Sequence, residues 1–313
     1  MAIVRPENMD FSKQKFSAII YGSPGTGKTT LACSAPKAIL IDFDRGVSRV
    51  RADHRVPTII CDSYEEVKND IHSPEMAEFD TVVIDTGGSF VTFLKDWAMR
   101  TNPSARTKSG EFSSLKGFGI VKNEFARFTE ELKTVLNKNV IYVFHSDEKA
   151  DKDGNPIQRL VCEGSARNTV WNSVDFGGYL QMIGNKRVLC FTPEQEFFAK
   201  GTHGVTGRIE VPELTDSTPN NFMEWLFDKA REQIKAEKDY FAPLKEKYEA
   251  AMEEAKAIID SVVNGPSADQ ALEQLNHVEY ALTAKAEARA MLIAKTTELN
   301  LKWTKEGFAP KEG

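Results

Sequence analysis

Ala18-Ile19-Ile20-Tyr21-Gly22-Ser23-Pro24-Gly25-Thr26-Gly27-Lys28-Thr29-Thr30-Leu31 is the stretch from which the rest of this chain is read. An apolar, β-branched run ends at Gly22 and a helix-compatible run opens at Lys28. Between them stands the pattern GxxxxGK[ST], whose glycines let backbone N–H groups turn inward around a phosphate at the start of a helix. Strand, loop and helix in that order are the context the pattern needs. The spacing predicts a phosphate loop over Gly22, Ser23, Pro24, Gly25, Thr26, Gly27, Lys28, Thr29 and Thr30, with ATP and Mg2+ as ligands. Lys28 is placed to bridge the β- and γ-phosphates, and Thr29 to hold the metal.

Downstream, short apolar runs alternate with amphipathic stretches, the texture of parallel βαβ units. Strands are predicted at Phe16–Tyr21, Ala38–Phe43, Thr58–Cys61, Thr81–Asp85 and Val140–His145, with helices at Lys28–Ser34, Tyr64–His72, Ser89–Arg100 and Ile120–Leu136. Three of these strands end in a polar residue suited to phosphate chemistry. Asp85 closes Thr81-Val82-Val83-Ile84, where a carboxylate can hold magnesium through water. Asp44, just beyond Ile41-Asp42-Phe43, fits a water-polarising role better than Asp42, although a turn-forming Asp before Gly46 explains it too. His145 ends Val140–Phe144 and is either a γ-phosphate sensor or a structural histidine. Asn137-Lys138-Asn139-Val140 has the look of a guanine-reading NKxD motif, but Val140 stands where Asp is required and the segment precedes its strand.

After the predicted parallel strands the texture turns to hairpins: Tyr179–Ile183 and Arg187–Phe191 around Gly184-Asn185, then Gln195–Lys200 and Gly207–Val211. From about residue 221 onward Ala, Glu, Lys and Leu dominate with helical spacing. Leu244, Tyr248, Met252, Ala255 and Ile259 make an apolar stripe. One helix is expected to run to Val263 and end at Asn264-Gly265-Pro266. A second, capped by Ser267, is expected to continue towards Leu299 as a long hairpin. The organisation expected is an N-terminal extension over 1–15, a core over 16–227 and a helical tail over 228–313. With 313 residues and 41% hydrophobic content there is material for both. The net charge of -6 gives no whole-chain nucleic-acid signature, and local basic loops remain open. Cys33, Cys61, Cys162 and Cys190 form no CxxC pair, and no apolar run approaches a bilayer span. A cytoplasmic protein without membrane contact is expected.

The P-loop, the Asp85 strand and the Asp44 and His145 strand ends together resemble the RecA-like ATPases. The likeness is greatest to the phage ATP-binding proteins of the core-only, Sak-type recombinase and single-strand annealing group, over about Phe16 to Phe227. The resemblance implies an α/β fold: a RecA-like P-loop NTPase core with a mainly parallel sheet and β-hairpins at its end, here followed by a C-terminal helical hairpin. It places Asp44 at the family's catalytic Glu, with a shorter side chain, Asp85 at the Walker B carboxylate and His145 at the γ-phosphate sensor. Glu196 to Gly204 resembles the segment that carries a Lys-x-Arg pair into a neighbouring subunit's ATP site. Lys200 matches the Lys and Thr202 stands at the Arg, for which Arg208 is a candidate to compensate; an edge-strand Lys reaching to solvent is the alternative. The family's two DNA loops fall on Arg100 to Gly119, with Arg100, Arg106, Lys108, Phe112 and Lys116, and on Asp147 to Arg167. Basic and aromatic residues interleaved in that way suit phosphate neutralisation and base stacking, and a plain surface loop also explains them.

The implied function is ATP-dependent single-stranded DNA binding in phage-type recombination or annealing, in an infected or lysogenic bacterial host. The implied assembly is a homo-oligomer with ATP at subunit interfaces, with a single-strand-binding or replication protein as a further partner. Two other classes stand beside it. One is an ATP-dependent switch or scaffold without significant hydrolysis, which the shorter Asp44 leaves open. The other is a small-metabolite kinase, against which the missing Arg-rich lid speaks.

Overall fold

The computed structural model describes residues 14–150, 153–163, 170–215 and 218–311, without the side chains of Lys238 and Phe241. Nearly all of the expected N-terminal extension, and residues 151–152 and 164–167 of the second candidate DNA loop, lie outside the described residues.

The apolar runs form β1 (Ser17–Gly22), β2 (Ala38–Asp42), β3 (Thr58–Ile60), β4 (Thr81–Asp85) and β5 (Asn139–Ala150). All five pair in parallel, in the order β3-β2-β4-β5-β1. Burial on both faces explains why β1, β2, β4 and the first half of β5 are continuously apolar rather than alternating, while β3 at the sheet edge is only partly buried. Between them run α1 (Lys28–Ala32), α2 (Tyr64–Asp70), α3 (Gly87–Thr101) and α4 (Ser114–Glu130), the last extended by a π turn over Glu131–Val135. Phe90 of α3 and Phe125 and Phe128 of α4 stack into one aromatic cluster over Tyr142 of β5. Gly87 has no Cβ because the Phe144 ring occupies that space, within 2.2 Å of where one would stand.

The sheet continues past β1 through β7 (Phe176–Ile183), β8 (Lys186–Cys190) and β9 (Arg208–Val211), while β6 (Pro156–Leu160) turns back on the outer half of β5. β7 is parallel to β1, and β8 and β9 are antiparallel additions. This is a mainly parallel P-loop architecture with antiparallel hairpin strands at its end. Gln195–Lys200 is not a strand. It makes only single bridges, Phe197 to Gln158 and Lys200 to Gly177, around a turn closed by Phe197 on Glu194.

Two compact units divide between Gln233 and Ile234, within α5 (Phe222–Asp260). The C-terminal unit is helical, as its composition implies, but its second helix is broken. Asn264 rather than Ser267 is the N-cap of α6 (Gly265–His277); Ser267 completes the reciprocal capping box at the third position. The chain then leaves helical geometry, Leu282 takes a positive φ of 52°, and α7 (Ala284–Glu298) follows. A terminal β-hairpin, β10 (Leu301–Thr304) with β11 (Gly307–Pro310), ends the unit. Of the predicted stripe, Ala255 and Ile259 are buried in one cluster with Ala251, Ala268, Ala271, Leu275 and Leu292, and Tyr248 and Met252 pack against it partly buried.

Candidate nucleotide site

Strand register assembles the site. Asp42 of β2 lies beside Asp85 of β4, Asp85 beside Val143 of β5, and His145 of β5 beside Gly22 of β1. Parallel strands in this register bring the ends of four apolar runs, scattered over more than a hundred residues of sequence, to one edge of the sheet. The P-loop leaves β1 there. Gly25 and Gly27 hold φ of 77° and 88°, the left-handed region that a side chain would strain. Thr26 Oγ1 donates to the Ser23 carbonyl at 2.9 Å and tightens the loop from within.

A cavity of about 210 Å³ opens between the loop and the strand tips, lined by Lys28, Thr29, Asp44, Asp85 and His145 among others. The sequence candidates at separate strand tips and loop thus meet in one place. Lys28 is buried, its Nζ donating to the Ser23 carbonyl at 2.8 Å; burial lowers its pKa to about 8, partly offset by Asp85. Thr29 Oγ1 donates to Asp85 Oδ2 at 2.6 Å. Burial pushes the Asp85 carboxyl up to about 6, opposed by the Thr29 hydroxyl and reinforced by Asp44 and Asp42. His145 is held below its ordinary pKa by burial and by Lys28, so its ring is neutral near pH 7. Its Nδ1 is buried without a hydrogen-bond partner among the described residues.

Asp42 and Asp44 divide as their positions imply. Asp42 is buried and accepts the Gly46 and Val47 N–H groups at 2.9 and 2.8 Å, which makes it the holder of the turn. Asp44, exposed to solvent on the cavity wall, is the carboxylate free to meet water. In the NKxD-like segment, Lys138 Nζ donates to the Met76 carbonyl at 2.6 Å and to that of Phe79, and Asn139 ties β5 to Phe16. Those residues hold the sheet's lower edge and read no base.

The other candidates fall elsewhere. Lys200 lies outside the cavity and donates to the Val174 carbonyl at 2.5 Å. Arg208 forks onto Glu194 at 2.8 and 2.6 Å. The first candidate DNA loop is shorter than expected, because Arg100 still belongs to α3 and Lys116 already belongs to α4; Arg100 pairs with Glu65 at 2.7 Å and Arg106 donates to the Met99 carbonyl. Phe112 packs on Phe118 with Lys95 over its ring. Lys108 and Lys116 are exposed. Two residues that sequence reading did not single out flank the P-loop. Arg187 of β8 donates from Nε to the Thr26 carbonyl at 3.1 Å, and Arg49 lines the cavity. Neither lies in a motif. Arg187 arrives through the antiparallel return of β8, and Arg49 through a turn after Asp44.

The model of an AAA domain family (AAA_24) matches residues 14–203. The chain belongs to this AAA domain family. It is a P-loop nucleotide-binding ATPase, and its matched segment spans every strand-tip residue described above. None of the curated proteins matches the chain in sequence. Solved structures similar to it include a KaiC-like protein from the hyperthermophilic archaeon Pyrococcus horikoshii, at 11% identity over 63% of this chain and 89% of that one, with a TM-score of 0.35. Another is the flagellar accessory protein FlaH from Methanocaldococcus jannaschii, at 11% identity over 63% of this chain and 90% of that one, with a TM-score of 0.31. No helix among the described residues is long and apolar enough to cross a membrane.

The side chains of this AAA domain fit a nucleotide with magnesium. The Thr29 hydroxyl and Asp85 carboxylate already share one point in space, and a buried carboxyl with a raised pKa is a group that gains from a cation beside it. Magnesium would supply neutralisation of phosphate charge there. Lys28 would meet phosphate oxygens, Thr29 and Asp85 would hold the metal, Asp44 would orient water, and the buried, unpartnered His145 Nδ1 would face a polar ligand.

Proposed function

We propose that this AAA domain protein binds single-stranded DNA under the control of ATP, as a homo-oligomer in phage-type recombination or annealing, and hydrolyses ATP to release it. The observation that carries this reading is the continuity of β5. One strand runs from the buried sheet, past His145 on the cavity wall, into the exposed hairpin with β6. The return of that hairpin is bonded to the same residue, Val161 N–H donating to the His145 carbonyl at 2.8 Å. A shift of His145 towards or away from a terminal phosphate therefore moves both ends of the hairpin, the kind of link by which a nucleotide sets the state of a binding loop. On the nucleic-acid side, exposed Lys108 and Lys116 supply charge. Lys200 would reach a neighbouring subunit's site only by leaving Val174. The test is single-strand binding with AMP-PNP, ADP or no nucleotide at low salt. Binding that is tighter with AMP-PNP is expected, and equal affinity in all three states would sink the reading.

A second reading, an ATP-dependent switch or scaffold that docks a replication partner with little turnover, draws on Asp44. Its side chain is one methylene shorter than Glu and lies on an exposed turn. Turnover of the wild type, with and without DNA, indistinguishable from that of Lys28→Ala would favour it.

A further inference from the structure

The phosphate cavity holds little positive charge of its own. Among the described residues that line it, Lys28 and Arg49 are the basic side chains, and Asp44 and Asp85 face them as carboxylates. A nucleoside triphosphate adds several more negative charges to the same small volume, so a second cation has a large electrostatic effect there.

Arg49 is built into that position. It ends the short 3-10 turn Val47–Arg49, and the entry of that turn is fixed by the buried Asp42 carboxylate on the Gly46 and Val47 N–H groups. The side chain folds back across Gly46. The guanidinium lies over Gly46, where a Cβ would stand 2.6 Å from Arg49 Nη2. Its neighbours in sequence are all committed within the chain: Arg45 to Asp62, Arg51 to Asp53, and Arg55 to the Val50 carbonyl. The Arg49 side chain has no hydrogen bond or ion pair among the described residues. Its charge is felt across the cavity at His145. It also lines the adjoining cavity of about 280 Å³ beside Thr30, so it stands where the two spaces join.

We propose that Arg49 is a phosphate-contacting residue acting within its own chain, its guanidinium binding the terminal phosphate of the nucleoside triphosphate held by the same P-loop. The planar fork of guanidinium donors matches two phosphate oxygens at once, which an ammonium does not. The proposal rests on the P-loop reading of the site and adds to it a cation that no neighbouring subunit has to supply.

The experiment compares equilibrium binding of Mg-AMP-PNP and Mg-ADP, by calorimetry, to wild type, Arg49→Ala, Arg49→Met and Arg49→Lys, with thermal melting of each. Arg49→Ala and Arg49→Met are expected to weaken AMP-PNP about ten-fold or more while ADP changes by less than about three-fold, and Arg49→Lys to recover part of the difference. Melting is expected to stay within about 2 °C of wild type, since the side chain bonds to nothing in the fold. AMP-PNP and ADP affinities that fall together, or neither falling, would overturn the proposal. Failure of the wild type to bind either nucleotide would instead overturn the P-loop reading itself. Mixing Arg49→Ala with Lys28→Ala separates own-chain from cross-subunit action. No recovery of turnover is expected, because no mixed site regains both residues; recovery would assign Arg49 to a neighbour's site and overturn the proposal.

Discussion

The wall of the phosphate cavity and the segment from Arg100 to Gly119, which joins α3 to α4, are both rich in charge, and for the most part they hold it in opposite ways. At the cavity, groups are left in costly states. Asp85 is raised to about 6, Lys28 is lowered to about 8, and the buried Nδ1 of His145 lacks a partner among the described residues. In that segment and the α3 turn before it, Arg100 is satisfied by Glu65, Arg106 by a backbone carbonyl and Lys95 by Glu163 and the rings of Phe112 and Phe118, which leaves Lys108 and Lys116 as the exposed charges. Charge that the fold leaves unsatisfied and buried marks a place for a ligand, because the cost persists in the absence of one. Charge that the fold satisfies marks a joint.

The largest effect expected from this contrast is at Lys28. Lys28→Ala removes the cation that the cavity buries and should lower ATP turnover at least about a hundred-fold, with loss of triphosphate binding, read by phosphate release and calorimetry. Turnover within a few-fold of wild type would show that the cavity's buried charge serves something other than phosphate.

Asp85 sharpens the comparison because function and stability pull in opposite directions there. Its folded pKa of about 6 lies above the ordinary 3.8, so the fold prefers the protonated acid. Its contribution to stability is present below the unfolded pKa and is lost as pH rises through 6. In the nucleotide-free protein Asp85→Asn should therefore raise stability at pH 8 by on the order of 2 kcal/mol, with a smaller gain at pH 5. The amide oxygen still accepts from Thr29. The same variant should lose most of the stabilisation that Mg-ATP gives the wild type. Melting curves at the two pH values, with and without Mg-ATP, check both halves. A gain at pH 5 as large as at pH 8 would show that burial of the charge is not the cause.

The legibility of these regions differed for physical reasons. The P-loop is local in sequence, and Asp85 and His145 are each the polar stop to an apolar run, so strand pattern alone points at them. Their meeting depends on register, which the sequence does not print. Arg49 and Arg187 were illegible because turns and hairpin returns carry no periodicity; only the pairing of β7 with β1 brings β8 and Arg187 over Thr26. Gln195–Lys200 read as a strand from its aromatic pair. In the fold Phe197 is buried and Phe198 faces Arg159, but the backbone finds only single bridges. The break between α6 and α7 carries no Gly or Pro, and Val278 and Tyr280 continue an apolar texture across it, so the helical pattern runs straight through.

The smallest effects test the loop. If committed charge marks a joint, Arg106→Ala should cost about 1 kcal/mol of stability through its carbonyl bond and leave DNA affinity unchanged. Lys108 in the loop and Lys116 in the first turn of α4 are exposed and unpaired among the described residues, so they are the segment's available phosphate partners. Lys108→Ala with Lys116→Ala should weaken single-strand binding several-fold at low salt, and each should flatten the slope of log affinity against log salt by about 0.7. Fluorescence anisotropy with a labelled oligonucleotide, titrated across salt in the presence of AMP-PNP, measures both quantities. A salt slope unchanged by the double variant but reduced by Arg106→Ala would invert the assignment. The contacts that the fold makes with Arg106 would then be a resting state that DNA displaces, and satisfied charge would no longer distinguish a joint from a binding surface.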